Sequence, residues 1–304
     1  MLTVEQADNL DYWCKRMDVA RRFHTIASLS RGLLADPPVT ASGWAALKNA
    51  SPLVALLGFP ATLLHGTTPV LDRWLWLKQR LPPAAEGQTL LDVGCGSGAF
   101  TIGAALRGYR ALGLSWDARN QNVGRTRAEL CGASEASFDV LDVRQLDSRA
   151  DMRERFDVVV CCENIEHILD DAKLMRDMAA CLKPNGRLLL TTPFLQHRPT
   201  FYDAKISTVE DGGHVRRGYS ETMLDELCRS AGLQLDSITF CTGLLSQMIS
   251  WIQRRLTRLH PLLGWGTALP LRGLPPLFDE AVTTMTGWPY LSICLEARKP
   301  ERAA

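Results

Sequence analysis

The chain has 304 residues, 46% hydrophobic and 22% charged, a balance that excludes a collagen-like or disordered polymer. A formal net charge of +1 supplies no global field for a polyanion, so a nucleic-acid substrate would require a local basic patch and is not expected. Nine cysteines include no C-x-x-C pair, which leaves zinc and redox motifs without support and makes a reducing cytoplasm the expected compartment.

Residues 1–8 are polar and acidic, unlike a secretion signal. The apolar run 52–64 is broken by Gly58 and Pro60 and falls short of the roughly 20 apolar residues that cross a bilayer. No transmembrane segment is expected. Residues 1–86 read as a helical N-terminal cap holding Trp13, Trp44, Trp74 and Trp76, punctuated by Pro37-Pro38 and Pro82-Pro83. Within it, residues 70–78 carry apolar side chains at helical spacing.

From Thr89 the pattern changes, and residues 87–304 form the second unit. Short apolar strands are predicted over 90–93, 111–114, 156–160 and 187–191, with a further strand and its loop over 138–143. Amphipathic stretches at 100–107, 121–130 and 172–182 alternate with them. Such alternation predicts an α/β fold, a mostly parallel Rossmann-like sheet with helices on both faces. Lys183-Pro184-Asn185-Gly186 reads as a turn opening a strand. Ser220 reads as the N-cap of a helix that faces the core with Met223, Leu224 and Leu227. Two last strands, over 233–240 and 290–296, enclose a helical insertion at about 244–288. Its first part places Leu244, Leu245, Met248, Trp251, Ile252, Leu256 and Leu259 on an apolar stripe, with Arg254, Arg255 and Arg258 opposite. A proline- and glycine-rich stretch follows over 261–276.

The segment Leu90-Leu91-Asp92-Val93-Gly94-Cys95-Gly96-Ser97-Gly98 runs a buried strand into a glycine-rich turn that opens a helix. Gly94, Gly96 and Gly98 let the backbone bend tightly and approach a ligand, because no Cβ intervenes. Gly94-x-Gly96-x-x-Ala99 also satisfies the looser dinucleotide fingerprint. Asp92 decides between the two readings, since its carboxylate repels a pyrophosphate and favours a cationic amino-acid ligand.

On these residues the chain resembles the class I methyltransferases that use S-adenosylmethionine (SAM), over roughly 65–240 and the final strand. The resemblance implies a last strand antiparallel to the rest and a SAM site around Asp92 and the three glycines. The second strand of the family normally ends in an acidic residue that holds the ribose; Ser115 stands there instead. That departure resembles a subgroup in which a downstream polar residue does so, making Asn120 or Gln121 the candidate. Asp142 matches the position that accepts the adenine amino group. Cys95, Trp116, Val143 and Glu163 complete the implied cofactor set.

After the fourth strand comes Cys161-Cys162-Glu163-Asn164-Ile165-Glu166-His167. A helical turn beginning here would set Glu163, Glu166 and His167 on one face, a hard-ligand set for Mg²⁺ or Mn²⁺. His214, in a glycine-rich segment, offers a fourth ligand. Glu-x-x-Glu-His with a distant His is similar to small-RNA 3′-terminal 2′-O-methyltransferases, and its first part to ubiquinone-pathway O-methyltransferases. That resemblance implies Glu163, Glu166, His167 and His214 as metal ligands. The metal-free alternative makes His167 a general base oriented by Glu166, and a structural role for both stays open.

Arg216, Arg217 and Tyr219 flank His214 and suit an anionic or aromatic substrate or a solvated surface. Trp13, Trp44, Trp251, Trp265 and Trp288 suit an apolar pocket or plain core. The expected activity is SAM-dependent O-methylation of a small hydroxylated metabolite, assisted by a divalent metal. Its rivals are a metal-independent N- or C-methyltransferase, an RNA 2′-O-methyltransferase and a non-catalytic SAM binder. A homodimer is compatible with the sequence.

Overall fold

The computed structural model describes residues 52–202 and 204–301, so the part of the expected cap that contains Trp13 and Trp44 lies outside the described residues. Three helices lead in: α1 (Pro52–Leu57), α2 (Phe59–Leu64) and α3 (Thr68–Arg80). Pro69 opens α3 at a position where a missing N–H costs nothing. The alternating core follows as β1 (Thr89–Val93), α4 (Ala99–Ala105), β2 (Arg110–Ser115), α5 (Ala118–Cys131), β3 (Ala136–Val140) and β4 (Phe156–Cys162). It continues through α6 (Asp171–Cys181), β5 (Leu182–Pro193), α7 (Glu221–Ser230) and β6 (Gln234–Cys241). The insertion is α8 (Leu244–Leu259), α9 (Pro261–Leu271) and α10 (Pro275–Thr286), and β7 (Ser292–Arg298) closes the sheet.

The seven strands lie in the order β3-β2-β1-β4-β5-β7-β6. The β1–β2, β1–β4, β2–β3 and β4–β5 pairs are parallel, while β7 runs antiparallel to both neighbours. The sheet is therefore the expected one. Successive side chains along a strand face opposite layers, so Leu91 and Val159 join one core and Leu90 and Val158 the other. The second core takes Phe59, Leu63, Trp74 and Leu77 from the entering helices. Each fully buried aliphatic side chain contributes about 1.5–3 kcal/mol, so α2 and α3 are part of the sheet's own packing.

Local chemistry sets several boundaries. Asp117 accepts the Arg119 N–H at the start of α5, Gly132 ends that helix in the left-handed region, and Ser220 caps α7 through the Met223 N–H as its sequence predicts. The Lys183–Gly186 turn becomes a bulged corner at the head of β5, where the β4 register shifts and Asn185 has φ 63°.

The proline- and glycine-rich stretch lies in helices, with Pro261 and Pro275 at first helical positions and Pro270 inside α9. One expectation about the insertion changes. In α8 the buried side is Ser246, Gln247, Ile249, Ser250 and Gln253, while Met248 and Leu259 of the apolar stripe are exposed. Hydrogen bonds explain this inversion in part: Gln247 donates to the Thr242 and Pro289 carbonyls, and Gln253 accepts from Arg272.

Candidate functional site

Ligands bind beyond the carboxyl ends of parallel strands, and there the segments after β1, β2, β3 and β4 enclose a cleft of about 410 Å³. The Gly94 and Cys95 N–H groups both donate to the Leu114 carbonyl, at 3.0 and 2.8 Å, folding the loop back over β2. Gly94 and Gly98 both have φ of 80°. A Cβ on Gly94 would sit 2.4 Å from Asn164, and one on Gly98 would sit 2.3 Å from the Phe138 ring. Gly96 faces open space and lines the cleft, so the bare backbone there can be approached by a ligand.

Of the residues singled out for SAM, Gly94, Gly96, Ser115, Trp116, Asn120, Asp142, Val143 and Glu163 line this one cleft. Asp92, Cys95, Gly98 and Gln121 do not. Asp92 is 1% exposed beneath the loop and accepts a 2.7 Å hydrogen bond from the Thr101 hydroxyl. Burial pushes its carboxyl up to about 6, and the Thr101 bond opposes that rise. Gln121 is buried and donates to the Ser115 carbonyl and the Cys95 sulfur. Between the two ribose candidates, Asn120 therefore faces the cleft and Gln121 braces its wall. Trp116 stands at the rim, 69% exposed.

Asp142 accepts the Arg144 N–H at 3.0 Å and pairs with the Arg144 guanidinium, which holds its carboxyl below the usual range. Arg144 reaches on to Glu210 at 2.6 Å, and Glu210 accepts the Leu169 N–H. These bonds lay residues 210–212 along the opposite wall.

The residues after β4 do not form the expected helical face. Glu163 takes a left-handed backbone, φ 50°, and a 3₁₀ turn follows over Ile165–His167. The backbone thus parts the four proposed metal ligands. Glu163 turns to the largely buried Arg73, at 3.0 Å, and accepts from Thr191 and Ser292 hydroxyls. Glu166, His167 and His214 come together, with one ligand atom of each within 4.8 Å of the others.

Glu166 is 0% exposed; one oxygen accepts from Thr192 at 3.1 Å and the other, Oε1, has no partner. Burial first, and the Glu163 charge second, push its carboxyl well up. His167 Nδ1 lies 2.9 Å from the Gly213 carbonyl, which keeps a proton on Nδ1 and in the neutral ring leaves Nε2 as the free lone pair, 3.9 Å from Glu166 Oε1. The His214 ring stands 4.7 Å from His167, with its Nε2 3.0 Å from the Tyr202 hydroxyl. Burial, then the neighbouring His167 and His197, pushes His214 down to about 4. One carboxylate and two imidazoles with a vacant buried oxygen fit a divalent cation, and the Gly213 bond is the kind of outer support metal-bound histidines have. Glu163, neutralised by Arg73, does not complete that set.

Arg216 and Tyr219 are structural: both reach Asp171, and Arg216 also donates to the Ile168 and Leu169 carbonyls. Sequence reasoning missed Arg73, Arg144, Tyr202 and Glu210. Arg73, Tyr202 and Glu210 work through partners distant in the chain, and Arg144 ties the nearby Asp142 to the distant Glu210, so no local spacing marks the set.

Fold order, glycine loop and cleft together define a class I SAM-dependent methyltransferase, and the family model described as "Methyltransferase domain" matches residues 70–238. The chain belongs to that family. The ubiquinone biosynthesis O-methyltransferase of Xanthomonas axonopodis pv. citri is 30% identical over 188 residues, covering 59% of this chain and 75% of that protein. The one from Leptothrix cholodnii is 31% identical over 129 residues, covering 42% of this chain and 53% of its own length. The chain thus spans about half of one relative and three quarters of the other. Among solved structures, Haemonchus contortus phosphoethanolamine N-methyltransferase 2 with bound SAM superposes with a TM-score of 0.53 at 18% identity, over 75% of this chain and 52% of that one. Geranyl diphosphate C-methyltransferase from Streptomyces coelicolor A3(2) gives a TM-score of 0.50 at 17% identity, over 75% of each chain. At such identities these two speak for the fold. Among the described residues no helix is long and apolar enough to cross a membrane.

Proposed function

We propose that the chain methylates a hydroxyl oxygen of a small molecule, with Glu166, His167 and His214 as the reacting cluster. The observation that carries this reading is the unpartnered, buried Glu166 oxygen facing the bare Nε2 of His167, on a residue that lines the cleft. The names of the curated relatives support oxygen as the target atom.

When bound, SAM supplies a methyl group already activated on a sulfonium, which leaves alignment and deprotonation to the protein. Gly96 gives the cofactor's backbone approach, Ser115 and Asn120 offer polar groups for the ribose, Trp116 offers a ring face, and Asp142 an acceptor for the adenine amino group. His167 Nε2 takes the acceptor's hydroxyl proton as its oxygen gains the methyl, leaving a methyl ether and S-adenosylhomocysteine. The Gly213 carbonyl holds the imidazole in the tautomer this needs.

Mg²⁺ or Mn²⁺ held by Glu166, His167 Nε2 and His214 would itself lower the pKa of a hydroxyl bound to it, and the proton would then not go to His167. In the metal-free reading, His167, with Nδ1 held by Gly213 and Nε2 free, acts alone as base. Methyl transfer to catechol, followed with and without excess chelator, separates the two. Loss of activity on chelation, restored by Mn²⁺, is expected. Full activity in chelator assigns the proton to His167 without a metal. No methyl transfer to catechol or any hydroxylated compound of a metabolite panel, despite tight S-adenosylhomocysteine binding, sinks O-methylation itself.

A further inference from the structure

A second concavity, of about 330 Å³, opens between residues 199–202 and α8, and Phe201, Tyr202, Trp251, Arg254, Arg255 and Arg258 line it. Its three arginines differ from Arg73, Arg144 and Arg216, which each meet a carboxylate. Among the described residues no carboxylate pairs with Arg254, Arg255 or Arg258. Arginines 254 and 258 lie one helical turn apart, where like charges oppose the helix.

The guanidinium planes are nonetheless held. Arg254 donates to the Phe201 carbonyl and lies over the Tyr202 ring, 5.5 Å from its centroid. Arg255 lies over Trp251 at 5.2 Å. Stacking leaves the N–H edges of a guanidinium free for a planar or tetrahedral anion. Phe201 packs edge-on to Trp251 and against Trp288, which gives the concavity an aromatic floor. Tyr202 is the partition: its ring lines this concavity while its hydroxyl bonds His214, one of the reacting cluster.

We infer that this concavity is an anion subsite for the methyl acceptor, which therefore carries a carboxylate or phosphate on an organic body. Arg255 and Arg258 grip the anion, Arg254 fixes the wall, and Tyr202 couples the filled subsite to His214. The inference rests on the proposed methyl transfer for the word acceptor, and on this concavity alone for the anion.

Calorimetry on the full chain at low salt tests it, starting with S-adenosylhomocysteine, whose failure to bind would count against the cofactor cleft. Inorganic diphosphate and benzoate are then titrated, with benzamide as the uncharged match for benzoate. We expect at least one anion to bind, benzamide to bind at least about tenfold more weakly than benzoate wherever benzoate binds, and the R255Q/R258Q double variant to lose the anion about tenfold or more. S-adenosylhomocysteine affinity should stay unchanged in that variant. Preference for diphosphate indicates a phosphorylated acceptor, preference for benzoate a carboxylated one. The inference is overturned if neither anion binds, if benzamide binds as well as benzoate, or if R153Q, on a distant exposed arginine, weakens the anion as much.

Discussion

The glycine loop and the Glu166, His167 and His214 cluster meet one cleft, the loop through Gly94 and Gly96 and the cluster through His167, but are assembled differently. The loop occupies residues 94–98, and its shape comes from the backbone, from φ values and from positions where a Cβ has no room. The cluster gathers Glu166 and His167 from a 3₁₀ turn, His214 from the segment after β5, and Tyr202 from another part of that segment. A site made of consecutive backbone leaves a trace in spacing. A site made of side chains brought from afar leaves residue types without geometry.

The sharpest way to break this contrast is to remove the imidazole. His167→Ala should lower kcat about 10²–10⁴-fold while calorimetry finds S-adenosylhomocysteine affinity unchanged. A matching loss of affinity would merge the two regions into one. On the loop side, Gly98→Ala forces a left-handed backbone and a clash with Phe138, costing about 2–4 kcal/mol of stability by denaturant unfolding. Gly96→Ala, with open space around it, should cost only about 1 kcal/mol. Equal costs would show that shape at Gly98 is not what the loop requires. Asn120→Ala should weaken the cofactor about three- to tenfold, and an unchanged affinity returns the ribose role to another residue.

The smallest effect concerns the joint between α3 and the insertion. Asp72 faces Asp279, which accepts the Gly243 and Leu245 N–H groups at the head of α8. Burial, with the Asp279 charge adding to it and the Ser246 and Thr242 hydroxyls and then Arg73 opposing, pushes Asp72 up to about 7. Between about 4 and 7 the folded chain holds a proton there that the unfolded chain has lost, so this group's contribution falls as pH rises through that window. Asp72→Asn should accordingly gain Tm relative to the parent between pH 5 and pH 8. A difference that stays flat with pH would remove Asp72 from the account.

Much of the fold was legible because strands buried on both faces write continuous apolar runs, as at Leu90, Leu91 and Val158, Val159, and because Ser220 marks a helix start. The α8 face was not. Ser246, Gln247, Ser250 and Gln253, all polar, face inward: the glutamines find hydrogen-bond partners that only the assembled insertion supplies, and the serines are buried by its packing. Glu163 misled for a related reason: Arg73, on another element, draws it from Glu166, and i, i+3 spacing says nothing of that pull.

The 244–288 insertion leaves and re-enters the sheet at one point. Cys241 and Ser292 are register partners on adjacent strands, and the Leu291 N–H donates to the Thr242 carbonyl. Closing a loop between such anchors costs only about 0.6 kcal/mol more for each doubling of its length. The β6–β7 junction therefore works as a socket, accepting helices of other lengths and chemistry at little cost to the sheet. On the anion-subsite proposal, a change of those helices would change acceptor preference while leaving the nucleoside-binding half as it is.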